Sequence, residues 1–452
     1  MTWVCRSPET SETDVPVGGT DVSDARGSVL RIPGFRRLLQ VMSATVFAEF
    51  LLESVVYCWI VAATATDPGV RSLLLGSYVV LSTVPRIFGA AVMGVCSDSL
   101  GAALSLKIST AARAGLAAGA AGSAYLGRTE VPFLAVVLLV LVVCCSTVNQ
   151  LFTAARAKAV QQYVPQELRG SASSLSMTVL TALSIVSASL GPFAFTSAGL
   201  EFSLLLITLL FAVGTVLSLA GFPRTTGDGA PPVSARPGFL TSLVEGWKAS
   251  WTVPRLRFVL FGSVLYGVPL GVNNVALVLL WVDTKGGTLI DYGLGSSLFG
   301  VGGFVGAVAA HRLVAHGNLH RLFAASLAAL GVSYGLLAWT PDHFVSFALM
   351  FVSGFLFSLY AVVQSPMLLE AAPTALTGRV VSTTASVAAL SSLLAAAVVS
   401  LLFALPSAGG PLVPWAVCLG GAVTVLGGAL LLFRGRDTEH PTPEAVGAIQ
   451  ER

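Results

Sequence analysis

Apolar residues run along this chain in blocks of about twenty, broken by short polar clusters, with none of the strict alternation of a half-buried strand. A hydrocarbon core about 30 Å thick takes about 20 helical residues to cross. On that measure spans are expected near 38–64, 72–97, 104–126, 131–153, 171–196 and 200–222. A polar stretch, 223–255, follows, holding Pro231, Pro232 and Pro237. Six more spans are expected near 256–282, 292–313, 320–339, 344–366, 377–405 and 412–433. The pattern predicts an all-α polytopic membrane protein with twelve transmembrane helices in two pseudo-symmetric six-helix bundles.

The expected organisation is therefore a disordered tail over 1–34, a first bundle over 35–222, a linker over 223–255, a second bundle over 256–433 and a tail over 434–452. Within the linker, Phe239 to Trp251 has helical periodicity and is expected to lie along the membrane face. Composition agrees. Of the 452 residues 55% are hydrophobic and 10% charged, against about 25% charged in soluble domains. The long unbroken apolar runs argue against a membrane β-barrel, and the 46 glycines suit close helix packing.

Charge orients the set. The expected terminal side holds Arg6, Arg26, Arg31, Arg36, Arg37, Lys107, Arg156, Lys158 and Arg169, then Arg224, Arg236, Lys248, Arg255 and Arg257 in the middle segment, then Arg312, Arg321, Arg379, Arg434, Arg436 and Arg452; the opposite side holds only Arg71, Arg128 and Lys285. By the positive-inside rule both termini and the linker are expected to be cytoplasmic, in the cell (plasma) membrane. The net charge of +3 gives no footprint for nucleic acid. The six cysteines have no zinc spacing. His311, His316 and His320 are expected in a solvated basic loop rather than at a metal. No metal, cofactor or enzymatic chemistry is expected, and the chain is expected to be a monomer.

The two halves carry a trace of repetition: Val164-Pro165-Gln166-Glu167-Leu168-Arg169-Gly170 after span four, and Ala372-Pro373-Thr374-Ala375-Leu376-Thr377-Gly378 after span ten. Each reads as a helix stop, a turn and a new start. Between spans two and three stands Gly94-Val95-Cys96-Ser97-Asp98-Ser99-Leu100-Gly101. This resembles the signature loop of the major facilitator superfamily in Gly94, Asp98 and Gly101. It departs from it at Ser99, Ala102 and Ala103, where cations are usual. Phe35-Arg36-Arg37-Leu38 and the Pro165 turn resemble the branch of siderophore and macrolide exporters. The second-half counterpart, Ala310-His311-Arg312-Leu313 with Gly317, is weaker. The resemblance implies the major facilitator fold, alternating access and a pairing of Asp98 with Arg156; capping of a helix end by Asp98 is the other reading. Gly191-Pro192 in span five resembles part of an antiporter signature, and a helix kink from Pro192 alone is the plainer account.

Charges inside spans are expensive and mark functional candidates. Span one carries Glu49 and Glu53 on one face, span two Arg86, span three Arg113. At 1.5 Å rise per residue, Glu49, Arg86 and Arg113 lie roughly 14–16 Å deep. A Glu49–Arg86 or Glu49–Arg113 pair is expected to face the central cavity, leaving Glu53 without an obvious cation. Two accounts stay open: proton coupling through Glu53 or Glu49, or a static network locking the first half. The second half offers Asn273, Asn274 and Gln364, either lining a mostly apolar and aromatic cavity or bonding helix to helix. The expected function is proton-coupled export of a hydrophobic or amphiphilic small molecule such as a drug, antibiotic or siderophore; import of a small nutrient by the same fold is the alternative.

Overall fold

The computed structural model describes residues 29–126, 130–221, 247–248, 251–316, 318–371, 377–405 and 409–434. Residues 1–28 and 435–452 of the expected tails, 239–246 and 249–250 of the expected amphipathic helix, 372–376 of the expected turn, and the side chains of Asp98, His311 and His316 lie outside the described residues. Residues 33–34, assigned to the tail, already belong to the first helix, and 247–248 and 251 are helical. Every regular element among the described residues is helical.

The first half consists of α1 (Pro33–Ala63), α2 (Pro68–Val84), a π-helical turn (Pro85–Gly89), α3 (Ala90–Leu100), α4 (Ala102–Tyr125), α5 (Val131–Tyr163) and α6 (Arg169–Leu219). The second consists of α7 (Pro254–Leu279), a second π turn (Leu280–Thr284), α8 (Leu289–His316), α9 (Leu319–Trp339), α10 (His343–Ala371), α11 (Thr377–Phe403) and α12 (Gly409–Arg434). Among the described residues ten helical segments are long and apolar enough to cross a membrane. One of them, Gln166–Leu219, is 54 residues long and folds at Gly199 (φ 82°, ψ 179°) into two crossing-length arms. The helix α4 has the length but not the hydropathy, because Ala, Gly and Ser surround Lys107 and Arg113. The twelve crossings are thus α1, α2 with α3, α4, α5, the two arms of α6, and α7 to α12.

Local chemistry sets the boundaries. Proline opens α1, α2 and α7, where its missing N–H is no loss. The Asp67 side chain accepts from Val70 N at 3.0 Å and caps α2. Asn318 caps α9 by accepting from the backbone N–H groups of His320 and Arg321. Gly101, at φ 77°, separates α3 from α4 in a conformation that disfavours any other residue. This gives one of the signature-loop glycines a physical reason. Pro192 lies inside α6 with helical dihedrals, and the sharp break of that segment is at Gly199 instead.

Lipid offers no hydrophobic drive between helices, so association rests on close van der Waals packing. A Cβ on Gly302 or Gly306 of α8 would collide with the backbone of Phe351 or Phe355 of α10, and one on Gly354 with Phe299. Gly331 of α9 and Gly421 of α12 abut in the same way. Here the glycines let backbones touch.

Among the described residues the closest contacts between the halves lie toward one end, the end at which α1 finishes and α2 begins, called the far end below. Gly69 of α2 lies against the Ala404 carbonyl beyond α11, and Gly76 against Ser400 of α11. Gly293 of α8 packs on Ala188 and Pro192 of α6, and Gly300 on Ile185. Ser189 and Ser297 bond across that seam at 2.6 Å, and Ser297 also donates to the Ile185 carbonyl.

Candidate functional site

The four ionisable residues expected inside the first bundle form two separate ion pairs, stacked one turn apart along α1. Arg113 Nη1 lies 3.3 Å from Glu49 Oε2 and 3.3 Å from Asn149 Oδ1, while its Nε donates to the Ser109 carbonyl. The guanidinium is fully buried and packs over the rings of Phe152 and Phe211, at 4.7 and 5.3 Å. The aromatic faces supplement the carboxylate. One of the two expected pairings of Glu49 is therefore present, but it is sealed inside the first bundle rather than facing the cavity.

Arg86 pairs with Glu53 instead. The expectation that Glu53 lacks a cation is corrected: the π turn Pro85–Gly89 brings Arg86 to Glu53, one turn beyond Glu49. These side chains are 49% and 30% exposed, against 0% for Arg113 and 11% for Glu49. Both line a cavity of about 280 Å³ between the halves. π turns recur at functional sites because the extra residue re-aims the side chains around it; this one carries the cavity's cation.

The rest of the lining revises the expected apolar cavity. The first half contributes the hydroxyls of Ser54, Tyr57, Tyr78, Ser82, Thr83 and Ser184. Tyr292 and Ser296 add two more from the second half, with Asn274 beside them. Among the described lining residues only Phe50, Val79 and Ala188 are apolar. The reason is helical spacing: tyrosines and serines scattered through apolar runs fall on one face once the spans are rotated into place. No single stretch of sequence shows that face.

Asn274 lies on the cavity, and its backbone carbonyl accepts from Tyr57 OH at 2.5 Å, closing the cavity toward the far end. Asn273 does not line it. Gln364 donates to Ser263 Oγ at 2.7 Å, joining α10 to α7, the helix-to-helix role left open for it. Arg156 reaches Met42 Sδ at 3.3 Å; its expected partner Asp98 has a side chain outside the described residues, and Gly94 lies within α3. Gly191 sits against Ser54, so the Gly191–Pro192 pair lies where α6 crosses α1 at the cavity wall.

Sequence reasoning missed Asn149 and a third ion pair. Arg71, in the first turn of α2, makes a two-point contact with Asp283 in the second π turn, at 2.8 and 3.0 Å. It links the halves at the far end, and the Arg71 side chain is 7% exposed. Beside it Lys285 bonds to the Thr340 carbonyl and, at 2.7 Å, to Ser346 Oγ. Arg71 and Lys285 stood out in the sequence as rare cations on their side; an acidic partner 212 residues away did not.

Among the described residues no group of three or more His, Cys, Asp or Glu side chains is placed to hold a metal ion.

This architecture is the major facilitator fold, and the chain is a multi-pass membrane protein. No family model matches the sequence, and no curated protein matches it. Solved structures do. The nucleoside transporter NupG is 14% identical and superposes over 87% of this chain and 98% of its own, with a TM-score of 0.65. A D-xylose–proton symporter is 18% identical over 90% and 97% of the two chains, TM-score 0.62. A bacterial homologue of the iron transporter ferroportin, in an inward-facing state, is 16% identical over 88% and 98%, TM-score 0.63. At these identities the likeness establishes the fold.

Proposed function

We propose that this protein is a secondary transporter that moves a small organic solute by alternating access through the Glu53–Arg86 cavity. One observation carries the reading: an ion pair lies open to a cavity between two helical halves whose seams, among the described residues, close toward the far end. A charge pair at mid-membrane is expensive to maintain, and a purely structural pair is better hidden, as Glu49–Arg113 is. With the basic residues cytoplasmic, the sealed end faces outward and the structure is an inward-facing state. The fold's occurrence in nucleoside, sugar and metal transporters agrees with a transport role.

Glu53 is assigned the proton. Protonation removes its charge and breaks the pair. The other ionisable groups around it are Arg86, Glu49 one turn along α1, and the phenols of Tyr57, Tyr78 and Tyr292. A substrate group that occupies Glu53 excludes the proton, and mutual exclusion at one carboxylate is the logic of antiport, hence export against an inward proton gradient. Import by the same cavity requires proton and solute to bind together.

The decisive measurement is solute movement in proteoliposomes under an imposed pH gradient, across a panel of labelled compounds. Movement driven by the gradient in the wild type and uncoupled from it in Glu53→Gln is the expected result. Unchanged proton dependence in that variant overturns the assignment. A second reading, export of an amphiphile, is favoured by an apolar groove of about 470 Å³ beside the α6–α8 seam, lined by Ile185, Leu190, Phe193 and Leu294. Ser189 and Ser297 lie in the same groove, so an apolar chain there would adjoin the cavity wall. Hydrophobic antibiotics in the same panel test it.

A further inference from the structure

We infer that the cavity takes a small zwitterion, its carboxylate on Arg86 and its ammonium on Glu53. The inference rests on the transporter reading and names the class of solute.

Three observations lead to it. First, the two cavity charges cancel, and they touch each other across the space a ligand enters. A ligand with one net charge satisfies one partner and leaves the other without its counter-ion, giving up the attraction it displaced. A zwitterion replaces one ion pair with two and strands nothing. Arg86 suits the carboxylate, since a guanidinium presents a fork of donors that matches two carboxylate oxygens.

Second, the surrounding groups complete both ends. Tyr78, Ser82 and Thr83 come from the segment leading to Arg86, and Ser54 and Tyr57 follow Glu53 on α1. Hydroxyls donate or accept as required, so each charged end finds further partners without another formal charge. Tyr292 and Ser296 of α8 face them from the second half. A ligand bridging the cavity thereby touches both halves, and its binding couples to their relative movement.

Third, the cavity is small. Its volume of about 280 Å³ lies just under the range of about 300–1,000 Å³ that holds drug-sized ligands. A compound the size of an amino acid fits. The mobile element is already present, because Arg86 sits on a π turn between α2 and α3, where a small change of winding moves the guanidinium off Glu53.

An uncharged polyol or nucleoside is the competing class. It uses the hydroxyls and leaves the ion pair intact, so the two classes respond oppositely to removal of the charges. The test is the thermal midpoint of the purified full-length protein with isosteric probes: leucine, 4-methylpentanoate (carboxylate only) and 3-methylbutylamine (ammonium only). Serine, tyrosine and uridine complete the set. At least one of the three zwitterions is expected to raise the midpoint, with an apparent affinity about tenfold or more above the single-charge probes. The response is expected to vanish in Glu53→Gln/Arg86→Gln and to survive, weakened, in the charge-swapped Glu53→Arg/Arg86→Glu. The swap keeps the pair if the neutral variant fails to fold.

Silence of all three zwitterions in folded wild type overturns the proposal. So does equal stabilisation by the carboxylate or amine alone, or an undiminished zwitterion response in the neutral variant. Counterflow of the bound zwitterion in proteoliposomes separates the two readings. Binding without movement leaves the zwitterion site standing and sinks the transporter. Movement of uridine but of no zwitterion does the reverse.

Discussion

Two ion pairs lie one helical turn apart on α1, and they differ in almost everything but composition. Glu49–Arg113 is closed off by Phe152, Phe211 and Asn149; Glu53–Arg86 opens on the cavity. A sealed pair can only hold helices together, here α1, α4 and α5. An open pair can exchange its partner for a ligand or a proton. Four residues of sequence separate structure from function on this helix, because a 100° rotation per residue and 1.5 Å of rise per residue carry the second carboxylate past the aromatic seal.

The largest effect follows from breaking the sealed pair. Replacing Arg113 by Met leaves Glu49 buried without its cation, and removal of one partner from such a pair costs about 3–5 kcal/mol. Low yield and a sharply reduced thermal midpoint are expected. Adding Glu49→Gln should restore much of the loss, since no stranded charge remains. If Arg113→Met alone folds as well as wild type, the distinction between the pairs fails.

The same operation on the open pair should leave the fold nearly intact and abolish transport. Arg86 is about half exposed, so Glu53 retains contact with the cavity when it goes. For Arg86→Gln we expect a thermal midpoint within a few degrees of wild type and loss of gradient-driven solute movement by at least about tenfold, equivalent to 1.4 kcal/mol. Stability loss matching that of Arg113→Met would show the open pair to be a second structural lock.

These contrasts show how much the sequence can convey. Membrane spans were legible because hydrophobicity is additive along a helix and needs no tertiary information. The resemblance to the major facilitator loop drew on Gly94, Asp98 and Gly101, and the last proves to be a positive-φ break. Which carboxylate meets which arginine was not legible. Depth along a helix follows from counting residues, but the facing direction of Arg86 depends on the π turn after Pro85, and an extra residue per turn leaves no mark in composition. The hydroxyl lining was hidden for a related reason: Tyr57, Tyr78 and Tyr292 come from three helices and converge only through packing. Asn149 was passed over as one polar residue in a long apolar span, though it is the third member of the buried cluster.

A third ion pair tests the far-end seal. Arg71–Asp283 spans the two halves, whereas the other two pairs lie within one. Its loss should therefore shift the balance of open and closed states rather than unfold the protein. For Arg71→Ala we expect the outward-open population to rise about 5- to 30-fold, corresponding to 1–2 kcal/mol. The readout is labelling of a cysteine placed at Tyr292, in a background without native cysteines, by an impermeant thiol reagent added from outside. Asp283→Arg with Arg71→Asp should bring the labelling back toward wild type. Equal labelling in all three shows that the glycine-mediated seams, not the ion pair, hold the far end shut.

The smallest effect concerns a cation just beyond the span that carries Asp283. Lys285 lies partly buried against Trp281, with its ammonium 5.8 Å from the ring centre, and burial brings its pKa down from 10.5 to about 8. Burial disfavours the charged form in the folded state, so between about pH 8 and 10.5 the unfolded chain binds this proton more tightly. Stability contributed at this site must then rise with pH across that window and stay flat below it, the opposite of the behaviour of a lysine that gains an acidic partner on folding. Comparing denaturation midpoints of wild type and Lys285→Gln at pH 7.5 and 10 isolates the term, because glutamine can still donate to the Thr340 carbonyl and Ser346. The wild type should gain on the variant by no more than a few degrees at the higher pH. A gain at the lower pH instead would mean that the ammonium is stabilised where it sits, and that Asp283 serves Lys285 as well as Arg71.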